Sequence, residues 1–262
     1  MRSTLVVHSV KKKTMNEYHI KIERWAETTS TNDILRAYPT PSVKAMTIVV
    51  ADFQTAGRGQ AGNVWESERG KNLLFSILTH PEGVAVADQY VLSMAGALAL
   101  KAVLDTYTDA ITLKWPNDIY WRDRKISGTL IETTVKGNTL ERCIFGIGLN
   151  INQREFRSNA PNPVSLYNII GEETSLSDVL NAVIERFTER YAQAVRGDTL
   201  GITTDYNASL FRRHGFYWYE DCATGERFEA TISHVEANGQ LHLRDKNHNE
   251  RAYWMKEVRF LL

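Results

Sequence analysis

The sequence predicts an α+β fold with a small all-β unit at its C-terminal end. Three observations lead there. Short β-rich runs and helical stretches interleave up to Gly215. Beyond that point, residues 217–262 read as a series of short alternating strands, with a tight-turn signal at Asn238-Gly239. The chain has 262 residues, 43% apolar and 10% aromatic. At about 150 residues per domain that is one to two domains, with enough material for a full core.

The elements follow in order. Residues 23–37 read as a strand end, a turn and a helix. Thr28, Thr29, Ser30, Thr31 and Asn32 offer N-caps ahead of Ile34 and Leu35. Residues 46–51 form a buried strand, since Ile48, Val49 and Val50 are contiguous and β-branched. Residues 57–71 are polar and glycine-rich, hence a loop, and 73–78 are the next strand. Residues 89–107 carry Val91, Met94, Leu98 and Val103 with small residues between them, the pattern of a helix buried on most sides. Residues 111–115 are a strand that stops at Pro116-Asn117-Asp118. Residues 128–134 and 143–151 are two strands joined by a turn at Lys136-Gly137-Asn138. Over 178–195, Val179, Val183, Phe187 and Tyr191 recur every four residues, with Arg186, Glu189 and Arg190 off that face. This is an amphipathic helix, with Ser177 as its expected cap. In the β unit, Asn238-Gly239 joins strands at 232–234 and 241–243, and the unit reads as a small barrel or sandwich. The expected organisation is an N-terminal extension over residues 1–20, a larger domain over 21–213 and the β unit over 214–262.

Charge and cysteines narrow the function classes. Lys plus Arg number 31 and Asp plus Glu number 31, so the formal net charge is zero. Nucleic-acid binders usually carry a basic excess, so DNA is a poor first candidate, although a local patch is compatible with balance. No run reaches the roughly 18 apolar residues of a membrane span. Leu5-Val6-Val7 is too short for a signal-peptide core, and Lys11-Lys12-Lys13 falls on the wrong side of it. Those lysines read as a solvated terminus. Cys143 and Cys222 lie far apart with no CxxC. They point neither to a disulfide framework nor to a zinc site, and they suit a reducing cytoplasm.

Four segments could carry chemistry. Gln54 to Asn63 contains GxGxxG at Gly57, Gly59 and Gly62. A dinucleotide fingerprint needs its third glycine to open a helix. Here Asn63, Val64, Trp65, Glu66 and Ser67 follow without helical period. The better reading is a strand-to-strand loop whose backbone N–H groups can approach an anion, with Arg58 as a cationic fork. The alternative is a plain surface loop. Lys114-Trp115-Pro116-Asn117-Asp118 places a lysine inside an apolar strand beside a turn. Lys114 could meet phosphate and Asp118 a Mg²⁺ ion; equally, Asn117 and Asp118 could bond their own backbone as turn residues. Lys125 stands at the entry to a buried strand that carries Gly128. Such a glycine marks close approach of backbone or ligand, while Lys125 could be an ordinary strand-end base. Gly146 and Gly148 interrupt an apolar strand ahead of Asn150 and Asn152. Either something lies against them or they mark a bulge. No GxSxG, HExxH or GxxxxGK[ST] occurs, and the seven histidines show no metal-ligand spacing, His80 reading as structural. Cations and glycines without a nucleophile point to chemistry on anionic phosphates.

Taken in order, Ser30-Thr31-Asn32, residues 57–62, 114–118, 125–132 and 146–152 resemble the biotin protein ligases. The resemblance runs from about Ile22 to the C-terminus. It implies a mixed β-sheet flanked by helices, related to class II synthetases and lipoate ligases, with a small SH3-like C-terminal barrel. It also implies a two-step reaction. The biotin carboxylate attacks the α-phosphate of ATP with Mg²⁺ present, giving biotinyl-5′-AMP and pyrophosphate. A lysine of a biotin carboxyl carrier protein, usually that of acetyl-CoA carboxylase, then takes the biotinyl group and releases AMP.

By position, the resemblance assigns catalysis to Lys125 and Arg58. It assigns biotin binding to Ser30, Thr31, Asn32, Gln54, Gly57, Arg58, Gly59, Gln60 and Lys125. Nucleotide binding falls to Lys114, Asn117, Asn150 and Trp65, and the metal to Asp118. Many members carry GRGRRGR where this chain has Gln60, Ala61 and Asn63 at the later cationic positions, so weaker retention of the adenylate is expected. Only 29 residues precede Ser30, and chains below about 40 residues rarely fold alone. The expectation is therefore a ligase with no DNA-binding domain and no membrane partner; a homodimer is left open. Two other readings compete: a lipoate or octanoate ligase, and a non-catalytic biotin or nucleotide sensor with a protein-binding β unit.

Overall fold

A computed structural model describes residues 2–3, 18–158 and 160–262; the Leu5–Val7 run and the lysines at 11–13 lie outside the described residues. The chain order is β1 (Arg2–Ser3), β2 (His19–Trp25), α1 (Thr31–Arg36), β3 (Ala45–Ala51), β4 (Leu73–Thr79), α2 (Gln89–Leu104), β5 (Ile111–Lys114), β6 (Asp118–Trp121), β7 (Arg124–Lys136) and β8 (Thr139–Leu149). There follow α3 (Leu166–Ile170), α4 (Leu176–Val195), α5 (Thr199–Ala208), β9 (Tyr217–Asp221), β10 (Arg227–Val235), β11 (Leu241–Asp245), β12 (Glu250–Tyr253) and β13 (Val258–Phe260).

Eight strands form one mixed sheet in the order β1-β2-β3-β4-β8-β7-β6-β5. The β2–β3 pair is parallel, because α1 makes the crossover between them, and the other neighbours are antiparallel. Period-two alternation divides the strand residues between two faces. One face sends Ile48, Val50, Phe75, Ile77 and Phe145 into the main core with α2 and α4. The other sends Val49, Leu78 and Ile144 against Leu35 of α1. β4 is buried along its whole length because both faces are covered.

The two long helices pack as their patterns require. Val179, Val183, Phe187 and Tyr191 of α4 are all buried, and Phe187 meets Phe145 edge-on at 4.9 Å. Gly96 lies where α2 passes Phe145 and Phe187. Truncating Phe187 to alanine would cost about 3–5 kcal/mol by the usual core rule.

Local sequence misassigned three details. The cap of α4 is Ser175, whose side chain accepts from the Asp178 N–H, and not Ser177. Helix α2 ends at Leu104, short of Tyr107. Asp118 to Trp121 is a strand of its own, a hairpin partner of β5, where a turn alone was expected.

The C-terminal residues form a five-stranded antiparallel sheet, β12-β11-β10-β9-β13, as expected of a small SH3-like unit. Its 236–240 turn docks on the larger sheet. The Trp115 indole N–H donates to the Gly239 carbonyl at 2.9 Å, and Tyr90 packs on Gly239 so closely that a Cβ there would stand 2.7 Å from its ring. Asn207 of α5 completes the seam by bonding both the N–H and the carbonyl of Val235. Cys143 is buried and Cys222 exposed, both unpaired. His80 Nδ1 lies 3.2 Å from the Pro41 carbonyl.

Candidate functional site

The site sits on the α1 face of the large sheet, and its floor is made of glycines. Gly128 pairs with Gly148, and Leu130 with Gly146, across β7 and β8. A Cβ on Gly146 would stand 2.3 Å from Asn32 Oδ1, and one on Gly148 would stand 2.4 Å from the Trp65 ring. Close approach, and not a bulge, is therefore the reason for both glycines. Above this floor lies a cavity of about 240 Å³ lined by Ser30, Thr31, Asn32, Gln54, Arg58, Gly59, Gln60, Asn117, Asp118 and Lys125, with Trp65 at its edge.

One end of the cavity is a hydrogen-bonded set of short polar side chains. Gln54 Oε1 accepts from the Thr31 N–H at 2.7 Å and from its hydroxyl at 3.1 Å. The Thr31 hydroxyl lies 2.6 Å from Ser76 Oγ, which donates to Asn32 Oδ1 at 2.6 Å. Asn32 Nδ2 in turn donates to Glu132. Ser30 occupies the N-cap position of α1, yet its side chain makes no capping bond, so its hydroxyl is left to the cavity. The fixed orientation of each amide and hydroxyl makes this end a preset array of donors and acceptors.

The glycine-rich segment folds back on itself. The Gly59 N–H donates to Asn63 at 2.7 Å and the Trp65 N–H to Gly57 at 3.0 Å, around a short 3₁₀ turn at Gln60–Gly62. Gly62 has φ +81°, the left-handed region that favours glycine. Gly57 lines neither cavity described here; a Cβ on it would press on the Trp65 carbonyl at 3.0 Å. Arg58 does not point a bare charge into the site. Its guanidinium pairs with Asp33 at 2.6 Å and approaches Glu132 at 3.9 Å, hooking the loop onto α1. Burial works against ionisation of Glu132. Hydrogen bonds from Arg36 and Asn32, with the charges of Arg36 and Arg58, outweigh it and hold the carboxyl below the usual range.

A second cavity, of about 530 Å³, opens beside the first. Lys114, Tyr120 and Asn150 line it, with Phe156, Ser158, residues 160–163 and Leu262. Asn63, Val64, Trp65, Asp118 and Lys125 belong to both cavities. At this shared wall Lys125 Nζ and Asp118 Oδ1 are 2.6 Å apart, and the ammonium lies 5.6 Å from the Trp65 ring centroid. Asn117, expected beside Lys114, lines the first cavity instead and donates to the Thr129 carbonyl at 2.7 Å. Lys114 sits between the rings of Phe260 and Tyr120, at 4.8 and 5.4 Å. Burial lowers its pKa, Asp118 opposes that, and Lys125 and Arg212 reinforce it. Asn150 donates to the Val164 carbonyl, while its buried Oδ1 has no partner among the described residues.

Several contributors were invisible to sequence reading. Ser76 sits in an otherwise apolar strand, and a lone serine amid LLFSILT is the signal that was available. Glu132 and Asp33 gain meaning only once α1 lies over β8. Glu66 accepts from the Arg157 and Ser158 N–H groups at 2.7 and 2.8 Å, tying the glycine-rich loop to the segment beside the second cavity. Burial opposes its ionisation, but those bonds and the Ser158 hydroxyl keep its carboxyl below the usual range.

Residues 25–150 match the biotin/lipoate A/B protein ligase family. The biotin–[acetyl-CoA-carboxylase] ligase of Paracoccus denitrificans is 31% identical over 195 residues, covering 71% of this chain and 78% of that protein. The bifunctional ligase/repressor BirA of Bacillus subtilis is 30% identical over 148 residues, 55% of this chain and 46% of that protein, so the chain spans about half the length of this relative. Among solved structures, the biotin protein ligase from Aquifex aeolicus in complex with biotin and ATP shares the fold, with a TM-score of 0.75 at 24% identity over 92% of this chain and 99% of that one.

Proposed function

The chain belongs to the biotin protein ligase family, and from that premise we propose that it attaches biotin to a lysine of a biotin carboxyl carrier protein in two ATP-dependent steps. One observation carries the reading: two cavities meet at a wall that holds Lys125, with a preset polar array at the far end of the first. The ureido ring of biotin has one carbonyl and two N–H groups, which suit the Ser30, Thr31, Asn32 and Gln54 set. Its valeryl carboxylate then runs toward Lys125. ATP takes the second cavity, with Lys114 at its phosphates and Trp65 and Asn150 at the nucleoside. Leu262 and Phe260 support a part for the C-terminal unit in completing that cavity.

In the first step a biotin carboxylate oxygen attacks the α-phosphorus. The bond from that phosphorus to the bridging oxygen breaks, and pyrophosphate leaves. Two anions must meet, so cations at the point of contact lower the barrier. Lys125 reaches both cavities and neutralises charge on the carboxylate and the α-phosphate together. Mg²⁺ fits the residues present, since Asp118 is a carboxylate common to both cavities and Mg²⁺ is held by one or two carboxylates plus substrate phosphates. Bound there, it would offset phosphate charge. In the second step the carrier lysine amine attacks the acyl carbon of the mixed anhydride, and AMP leaves with the bonding pair. The glycine-rich loop, hooked by Arg58, shelters the anhydride from water meanwhile.

No helix of the described residues is long and apolar enough to cross a membrane; two unpaired cysteines support a cytoplasmic site of action. The test is incubation with biotin, MgATP and a biotin-carrier domain, read by intact mass. A carrier gaining one biotin, lost in Lys125→Ala, is the expected result. Pyrophosphate exchange driven by lipoate and not by biotin would overturn the substrate assignment, and ligand binding with no exchange at all would leave a sensor in place of an enzyme.

A further inference from the structure

Away from both cavities, the C-terminal sheet gathers a second set of chemically capable side chains. Two histidines face each other across β10 and β11. His234 and His242 are register partners, just past an irregularity between Ile232 and His234. Their rings stack with centroids 4.3 Å apart and planes 16° from parallel. Glu236, two residues on, brings Oε1 to 3.1 Å from His242 Nε2. One ligand atom from each of the three lies within 4.8 Å of the others, and among the described residues no other group of three His, Cys, Asp or Glu side chains does this.

The surroundings of these side chains are those of a prepared coordination set. His234 Nδ1 lies 3.3 Å from Ser233 Oγ, and that hydroxyl donates to Glu250 Oε1 at 3.1 Å. With its proton committed to the glutamate, the serine oxygen can only accept from the ring, which fixes the proton on Nδ1 and leaves the other nitrogen with its lone pair. A hydrogen-bonded carboxylate behind a histidine is the usual way that a ligand ring is oriented and made more basic. The carboxylate is held likewise, since Glu236 Oε2 accepts from Asn238 Nδ2 at 2.9 Å while Oε1 faces the histidine. All three side chains are half-buried.

We propose that His234, His242 and Glu236 bind one transition-metal ion of the zinc class. Two imidazoles and a carboxylate, with a water as fourth ligand, are a normal donor set for zinc and a poor one for Mg²⁺ or Ca²⁺. Tetrahedral coordination at about 2.0–2.1 Å puts ligand atoms roughly 3.3 Å apart, so binding would draw together atoms now within 4.8 Å and turn the two rings out of their parallel stack. The ion would clamp the same turn that presents Gly239 to Trp115 and Tyr90. It would thereby brace the β5–β6 turn, which carries Asn117 and leads into Asp118, from behind. This site is independent of the biotin reading.

The experiment is metal binding by the tag-free chain after chelator treatment. Zn²⁺ is titrated against a chromophoric indicator, with Mg²⁺ in excess as competitor. One Zn²⁺ per chain is expected, undisturbed by Mg²⁺. His234→Gln and His242→Gln should each weaken it about tenfold or more, with unchanged circular dichroism. No stoichiometric binding, or binding that survives loss of both histidines, would overturn the proposal. Should a variant fail to fold, the unsubstituted chain still decides the matter. Zn²⁺ should protect His234 and His242 from diethylpyrocarbonate while the remaining histidines react as before, and equal reaction of these two with and without zinc rejects the site.

Discussion

Replacing Gly146 with alanine drives a methyl group into Asn32. An ideal Cβ would stand 2.3 Å from Asn32 Oδ1, 2.8 Å from Cγ and 2.9 Å from Nδ2. These are all under contact distance, and all belong to one buried side chain. Asn32 cannot shift without breaking its bonds. It accepts from Ser76 at 2.6 Å and donates to Glu132 at 3.1 Å. A neutral buried bond is worth about 1 kcal/mol and one to a charged group about 2 kcal/mol. Against this, an alanine in place of glycine stiffens the unfolded chain by about 0.7 kcal/mol. The net loss is about 2 kcal/mol, a factor of roughly 30. It falls on stability if Asn32 stays in place under strain, and on biotin affinity if Asn32 swings into the cavity. Urea unfolding and the KM for biotin in pyrophosphate exchange measure the two outlets together, and the KM for ATP should stay near its original value. Asn32→Ser in the same chain removes the clash, so the double variant should recover at least 1 kcal/mol relative to additivity. If Gly146→Ala changes neither quantity, the floor of the cavity is not packed as described.

Three further outcomes follow from the site. Gln60→Arg adds a charge-assisted bond to the loop and should slow adenylate dissociation about fivefold, on the order of 1 kcal/mol; an unchanged off-rate refutes the idea that this chain holds its intermediate loosely. Glu66→Gln leaves one oxygen to serve two backbone N–H groups. It should raise the KM for ATP more than that for biotin, and equal effects on both would show that the tie to residues 157–158 does not shape the second cavity. Glu132 is held below the ordinary glutamate pKa of 4.5, so its contribution to stability is present above that pH and is lost as pH falls through the folded value. Glu132→Gln should therefore flatten the acid limb of the stability–pH curve, and an unchanged limb would mean that the Arg36 and Asn32 contacts do not hold in solution.

How much could be read from the sequence depends on how far each signal reaches along the chain. The Asn238-Gly239 hairpin and the four-residue repeat of α4 are local, and both are found as expected. The placing of Arg58 and Lys125 at one cavity was also legible, through the resemblance. The cap of α4 was misplaced because Ser175 and Ser177 offer the same chemistry two residues apart. Helices α3 and α5 were not anticipated. Asn32 and Glu132, or Gly148 and Trp65, meet across long stretches of chain and only through sheet register. No periodicity encodes such meetings. The two glycines of β8 announced that something must lie there without saying what.

The shared wall has a consequence for how this protein can be altered. Trp65, Lys125 and Asp118 face both cavities at once, so on the proposed assignment a change made there to admit a different acid also disturbs the nucleotide. On that assignment, variation selective for the acid comes from the opposite end, where Ser30, Thr31 and Gln54 touch one cavity alone. A directed search for enzymes that accept unnatural ring systems would do best to randomise those positions and leave the dividing residues untouched.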